Sequence, residues 1–218
     1  MKVGTDGVIL GAWADMQSPV TAPRILDIGT GSGLIAIMLA QRFNMASIDA
    51  IDIDTSAILQ TKENIANCPF ADRINAWQTD ITDMDDASTY DLIVSNPPFY
   101  QEKTTCPDTK RNTARHTSSL SFDTLLCKAN AMLNEDGTFC VIIPTSAVSE
   151  IIGSSALYSL YLSRRTDIHT TIRKDAKRTL LAFTHNRNIE SSFTKLYLRD
   201  ANNNISTEYH ELTKDFYL

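Results

Sequence analysis

The run Arg24-Ile25-Leu26-Asp27-Ile28 passes directly into Gly29-Thr30-Gly31-Ser32-Gly33, and then into Leu34 to Phe43, a segment with neither Gly nor Pro. No other feature restricts the fold of this chain as much. A short, mostly apolar run of this kind reads as a central strand buried on both faces, which belongs in a parallel sheet. A parallel neighbour requires a crossover, and Leu34 to Phe43 has the helical character to supply it. Ser47 to Ile53 is a second strand. Ser56 to Asn67 then spaces Ile58, Leu59, Ile65 and Ala66 for a helix, and weaker strand signals follow at Ile74 to Gln78 and Tyr90 to Val94. Leu120 to Leu133 predicts a helix stopped by Asn134-Glu135-Asp136-Gly137, and Thr138 to Ile143 a buried strand closed by Pro144. Beyond it come a helix near Ser146 to Leu157 and strands near Leu160 to Ile168 and at Arg178 to Phe183. Only a short polar segment separates the last two strands, so they are expected to form a hairpin. Alternating strands and helices give an α/β fold, a parallel sheet covered on both faces. With no repeat, low-complexity tract or linker, residues 1–218 read as a single domain.

Composition excludes several classes. At 43% hydrophobic and 21% charged residues the chain has the make-up of an ordinary globular protein, and it holds no run of about 18 apolar residues to span a membrane. The opening Met1-Lys2-Val3-Gly4-Thr5-Asp6-Gly7 lacks the apolar stretch of a secretory signal, so a cytoplasmic location is expected. Cys68, Cys106, Cys127 and Cys140 are scattered, which suggests neither a metal site nor a disulfide framework. The net charge of -6 is unevenly spread. Residues 1–100 carry 5 Lys/Arg against 13 Asp/Glu, whereas residues 101–128 carry 5 against 3 and residues 161–187 carry 7 against 2. A polyanionic partner would therefore meet the later segments.

The glycine loop lies where open α/β sheets bind ligands, beyond the carboxyl end of a strand and at a helix N-terminus. Asp52 falls 19 residues after Gly33 at the end of the second strand, where a carboxylate can accept hydrogen bonds from both ribose hydroxyls; Asp54, beyond the strand, competes for that role. Asp80, after the third strand, is placed either to accept from an adenine amine or to cap the turn that follows. Gly29-x-Gly31-x-Gly33 preceded by Asp27 resembles the loop of methyltransferases, whereas dinucleotide enzymes more often use G-x-G-x-x-G. The predicted cofactor-binding set is thus Asp27, Gly29, Gly31, Gly33, Asp52 and Asp80, together with Asn96.

Asn96 opens the second motif, Asn96-Pro97-Pro98-Phe99-Tyr100, directly after the strand Tyr90 to Val94. Two prolines cannot continue a strand, so the chain must turn at the carboxyl edge of the sheet. An exocyclic amine on a base is a poor nucleophile because its lone pair is delocalised into the ring. The Asn96 side-chain oxygen and the Pro97 carbonyl can both accept hydrogen bonds from such an NH₂ and favour a pyramidal nitrogen. Phe99, with Tyr100, would stack on the base. No metal and no strong base are required, because alignment for in-line transfer supplies much of the acceleration. Asn96, Pro97, Pro98 and Phe99 are the predicted catalytic residues. Basic residues follow at Lys103, Lys110, Arg111, Arg115 and His116, and again at Arg164, Arg165, Arg173, Lys174, Lys177 and Arg178. Both groups are placed to meet phosphates on either side of a flipped base.

The segment Lys2 to Ala14 (KVGTDGVILGAWA), with Asp27 to Gly33, Asn96 to Tyr100, Ala114-Arg115-His116-Thr117, Arg165-Thr166-Asp167, Leu180 to Phe183 and the tail Phe216-Tyr217-Leu218, resembles the bacterial tRNA (adenine-N6)-methyltransferases that modify valine tRNA beside its anticodon. The resemblance implies a Rossmann-like methyltransferase fold with a mostly parallel seven-stranded sheet and a C-terminal antiparallel hairpin. It also implies S-adenosylmethionine as cofactor, tRNA as partner, and Thr5 and Asp6 against the amino-acid end of the cofactor. Thr5 and Asp6 equally suit the start of an ordinary N-capped helix. Relatives are expected to carry a further N-terminal segment before the methionine numbered 1 here. Tyr100, Lys103, Lys110, Arg111, Arg115 and Arg165 are the expected substrate contacts. Enzymes that methylate guanine amines or protein glutamine share the N-P-P-[FY] motif, so these stand as alternatives. A nicotinamide-dependent dehydrogenase and a non-catalytic RNA-binding factor stand beside them from other classes.

Overall fold

The computed structural model describes residues 4–85, 87, 89–98 and 120–217. The elements are α1 (Thr5–Trp13), β1 (Arg24–Ile28), α2 (Leu34–Arg42), β2 (Ser47–Asp52), α3 (Thr55–Ala66), β3 (Ile74–Gln78), β4 (Tyr90–Ser95), α4 (Phe122–Met132), β5 (Leu133–Pro144), α5 (Val148–Ser155), β6 (Tyr161–Thr171), β7 (Arg178–Thr184), β8 (Ser192–Arg199) and α6 (Thr207–Thr213). One sheet takes the strands in the order β3-β2-β1-β4-β5-β7-β6-β8. β1 pairs in parallel with both β2 and β4, and β4 in parallel with β5. β7 lies antiparallel to both β5 and β6, and β8 is parallel to β6, so among the described strands β7 alone runs against the rest. Strand order reverses between β1 and β4, which opens a crevice at their carboxyl ends.

Side-chain alternation explains the layers. Ile25, Ile48, Leu92, Ile142 and Leu180 face α1 and α2 through Ile9, Leu10 and Leu39. Leu26, Ile93, Phe139 and Phe183 face α4 and α5 through Leu126, Met132 and Ile151. Both faces of the central strands are apolar, as parallel strands covered by helices must be. α1 also joins the two ends of the chain. Arg42 closes its C-terminus by donating from Nη1 to the Gly11 and Ala14 carbonyls. Trp13 donates from Nε1 to Thr166 Oγ1 (3.0 Å), and the Arg164 guanidinium lies 3.7 Å from the Trp13 ring centroid.

Two expectations need correction, and a third element was not foreseen. The sheet has eight strands, not seven. β8 went unrecognised because Ser192 to Lys195 are exposed and only Leu196 in that strand is buried, which leaves no alternating apolar pattern. The predicted turn at 134–137 is absorbed into β5 as an irregularity: Tyr90 pairs with Leu133, but Leu92 pairs with Thr138. The third is α6, a C-terminal helix that was not predicted; it starts at Ser206, whose Oγ accepts from Tyr209 N–H (3.0 Å). The hairpin of β6 and β7 forms as expected.

Candidate active site

A cleft of ≈ 620 Å³ opens at the carboxyl ends of β1, β2 and β4. Its walls include Gly29, Gly31, Asp52, Asp80, Asn96, Pro97 and Pro98, which joins both sequence motifs in one space. A second cavity of ≈ 330 Å³, lined by Asp15, Thr138, Arg164 and Ser192 among others, holds none of the predicted catalytic or cofactor-binding residues.

The loop between β1 and α2 is held on every side. Gly29 and Thr30 N–H groups both donate to the Ile51 carbonyl (2.9 Å each), and Gly31 N–H donates to Asp52 Oδ2 (2.9 Å). From α3, Thr61 Oγ1 donates to the Gly31 carbonyl (2.9 Å) and Asn64 Nδ2 to that of Ser32 (2.8 Å). From β4, Ser95 Oγ donates to the Ile28 carbonyl (3.0 Å). Gly29 has φ 71°, and a Cβ there would meet nothing within 4 Å, so its backbone stands open to a ligand. Gly33 is constrained differently. Its φ is 79°, and a Cβ would stand 2.9 Å from Thr61 Cγ2. Gly33→Ala is therefore expected to destabilise the protein by about 2 kcal/mol, from the left-handed backbone and the crowding against α3. Urea denaturation tests this, and a change below about 0.5 kcal/mol would show that the loop relaxes freely.

Asp27 is fully buried beneath the loop. Oδ2 accepts from Thr30 Oγ1 at 2.6 Å, while Oδ1 is buried with no hydrogen-bond partner. Burial pushes its pKa up to about 7, against the Thr30 hydrogen bond and with help from the nearby Asp52 charge. Asp52 and Asp54 take separate tasks. Asp54 caps α3, its Oδ1 accepting from the N–H and Oγ of Ser56 (2.7 Å each), and these hydrogen bonds hold it below the ordinary carboxylate range. Asp52 braces the loop through Oδ2 and accepts from Asp54 N–H through Oδ1 (2.9 Å). Of the two roles foreseen for Asp80, the cap is the one observed. Oδ1 caps the turn Ile81–Asp83 by accepting from Thr82 N–H (2.9 Å) and Oγ1 (2.8 Å), and the residue also lines the cleft.

At the end of β4, Asn96 is half-buried, Pro97 buried and Pro98 exposed. Leu120, Ser121 and Thr124, at the start of α4, also line the cleft. Sequence reasoning missed these three, as it missed Thr30, Thr61, Asn64 and Ser95. Of the missed residues only Thr30 had a signal, a hydroxyl three residues after Asp27.

The remaining predicted residues are not brought into the cleft or lie beyond description. Phe99, Tyr100, Lys103, Lys110, Arg111, Arg115 and His116 fall outside the described residues. Thr5 and Asp6 begin α1 after Gly4, which makes no side-chain cap. A Cβ on Gly7 would stand 3.3 Å from Leu34, so this helix starts beside the start of α2, but neither Thr5 nor Asp6 lines the cleft. Asp6 Oδ2 instead accepts from Arg178 Nε at 2.7 Å. Arg165 donates from Nε and Nη2 to both oxygens of Asp167 (2.9 Å each), a two-pronged pair away from the cleft.

The donor set fits a cationic adenosine-type ligand. It offers a buried unpartnered carboxylate oxygen, an open glycine backbone, and three further carboxylates, Asp52, Asp54 and Asp80, along the cleft. Among the described residues, no three His, Cys, Asp or Glu cluster to hold a metal, and no helix is long and apolar enough to cross a membrane.

Comparison with known proteins identifies the family and the fold. A family model described as "Methyltransferase small domain" matches residues 13–157. A tRNA1(Val) (adenine(37)-N6)-methyltransferase of Phocaeicola vulgatus is 45% identical, covering all of this chain and 91% of the relative. Its counterpart in Pectobacterium carotovorum is 42% identical, covering all of this chain and 88% of that protein. Among solved structures, a predicted O-methyltransferase from Agrobacterium tumefaciens superimposes with TM-score 0.74 at 18% identity over 96% of each chain. The ribosomal protein L11 methylase of Lactobacillus delbrueckii does so with TM-score 0.57 at 24% identity, over 82% of this chain and 76% of that one. These two show the fold.

Proposed function

This chain belongs to the tRNA1(Val) (adenine(37)-N6)-methyltransferase family, and we propose on that footing that it methylates the N6 amine of the adenine beside the anticodon of valine tRNA. One observation carries the reading: Asn96-Pro97-Pro98 lines the same cleft as the glycine loop and Asp52. A site for a planar amine and a site for an adenosine cofactor thus share one space.

The cofactor is S-adenosylmethionine, which when bound supplies an activated sulfonium methyl. Asp27 and the backbone of Gly29, Gly31 and Gly33 would hold its amino-acid end, Asp52 its ribose hydroxyls and Asp80 its adenine amine. Thr5 and Asp6, at the head of α1, would act from outside the cleft wall. Asn96 and the Pro97 carbonyl accept hydrogen bonds from the substrate amine and turn its lone pair toward the methyl. The two prolines hold that turn rigid. Phe99 and Tyr100 would stack on the base. After attack the cationic nitrogen gives up its proton to water, so no strong base is needed in the cleft. A cytoplasmic location goes with this substrate.

The test is methyl transfer from labelled S-adenosylmethionine to unmodified total tRNA, with nucleoside analysis of the product. N6-methyladenosine is expected. With ribosomal RNA and protein offered as substrates in parallel, label in the N2 amine of guanine or in a protein glutamine, and none in adenine, would discard the adenine reading and keep the chemistry. Cofactor binding without transfer to any of these would favour a non-catalytic RNA-binding role.

A further inference from the structure

We infer that the turn joining β6 to β7 is a phosphate-contact surface that guides the RNA onto the cleft; this rests on the nucleic-acid substrate proposed above. Arg173, Lys174 and Lys177 are exposed in this turn, and none of them forms an ion pair among the described residues. One carboxylate, Asp175, stands among them. The other cations of the hairpin are already engaged: Arg164 lies on Trp13, Arg165 is paired with Asp167, and Arg178 with Asp6. Within this hairpin, among the described residues, free positive charge is thereby confined to the tip.

The tip is held in shape. His169 Nδ1 lies 2.8 Å from the Lys174 carbonyl, which can only accept, so that nitrogen carries the proton and donates. The imidazole packs on Tyr197 of β8 with centroids 5.0 Å apart. Lys177 N–H donates to the Ile168 carbonyl (3.2 Å), and Lys177 in turn accepts at its carbonyl from Thr145 N–H (3.2 Å), just past β5. A pre-formed tip loses less conformational entropy on contact than a loose tail would.

Its position is the second argument. Arg178 pairs with Pro144 at the end of β5 and with Ile168 near the end of β6, so the turn projects from the edge of the sheet at which Asn96 leaves β4. β5 lies between β4 and β7. At about 4.8 Å per strand the turn begins about 10 Å across the sheet from Asn96, a distance that a splayed RNA loop spans. The opposite flank of the cleft carries Asp52, Asp54 and Asp80. Screening acts over about 8 Å at physiological salt, so these local charges, and not the net charge of -6, decide how a polyanion approaches. It is repelled from the β2–β3 side and drawn to the β7–β6 side.

The experiment is a fluorescence titration of wild-type protein and a triple variant (R173A, K174A, K177A) with tRNA across a salt series, with methyl transfer measured alongside. The triple variant is expected to bind tRNA about tenfold more weakly, and its plot of log affinity against log salt should be shallower by about 0.7 per contact removed, about 2 in all. Affinity for S-adenosylmethionine should be unchanged. D175A, which removes the one acidic group of the tip, should bind tRNA more tightly than wild type, a gain that damaged folding cannot imitate. Unchanged affinity and slope in the triple variant would overturn the proposal. Wild type that binds tRNA without methylating it would sink the proposed reaction while the binding contrast still judged the turn. Absence of any tRNA binding would overturn both.

Discussion

Asn96→Ala should lower kcat for methyl transfer about 10²–10³-fold, the loss typical when one fixed hydrogen-bonding group aimed at the transition state is removed. The loss should fall on kcat and leave KM for tRNA nearly unchanged, because the hydrogen bond matters most once the nitrogen becomes pyramidal. The structure accounts for the size of the effect. Asn96 follows directly on β4, whose last residue Ser95 is buried and tied to Ile28, and the buried Pro97 fixes the chain immediately after it. The backbone that carries this acceptor is thereby fixed on both sides and need not reorganise during the reaction. Asn96→Asp retains an acceptor oxygen at the same position and should keep more activity than Asn96→Ala. Because Asn96 is assigned to the cofactor as well as to the amine, cofactor titration of the alanine variant separates the two. If the whole loss appears as weaker cofactor binding at unchanged kcat, Asn96 serves the cofactor and the Pro97 carbonyl alone aligns the amine.

The readability of this chain tracks how local each signal is. β1, the glycine loop and α2 were legible because a buried strand, three glycines and an uninterrupted helix lie next to each other in sequence. Asn96 and Asp52 were legible because the ends of parallel strands converge on one edge, so a residue just past a strand is placed once the strand is placed. The structural tasks of Asp52 and Asp54 differ, and the sequence held the signal for one of them: Asp54 precedes Ser56 in a helix-starting pattern and is used as a cap, while Asp52 braces the glycine loop. The supports of the loop were not legible. Thr61 and Asn64 reach it from α3 only because of how that helix packs, and no spacing rule predicts that contact. Arg165 illustrates the opposite failure. It read as a free cation, but Asp167, two residues on and therefore on the same face of β6, takes up its guanidinium. β8 shows that an exposed edge strand carries too little apolar pattern to be seen beforehand.

The buried carboxyl beneath the loop leads to the other large effect, a pH dependence of cofactor binding. With a pKa raised to about 7, Asp27 is protonated in the free protein at pH 5 and largely ionised at pH 8. Its folded pKa lies above the usual carboxylate value, so the stability it contributes is full below pH ~4 and is lost as pH rises through 7, by at most about 4 kcal/mol. Cofactor binding should show the opposite trend. If Asp27 receives the ammonium group of the cofactor's amino-acid end, it must be ionised in the complex, and binding below pH 7 then releases a proton. Affinity for S-adenosylmethionine should therefore fall about tenfold per pH unit below 7, to about a hundredfold weaker at pH 5. Asp27→Asn keeps an oxygen for Thr30 but carries no charge. It should bind the cofactor weakly with no such slope, and should not lose stability between pH 4 and 7 as the parent does. Calorimetric titration in two buffers of different ionisation enthalpy counts the released proton directly. Parallel pH profiles for the parent and Asp27→Asn would show that Asp27 stays protonated in the complex, and that the unpartnered oxygen beneath the loop serves the fold and not the cofactor.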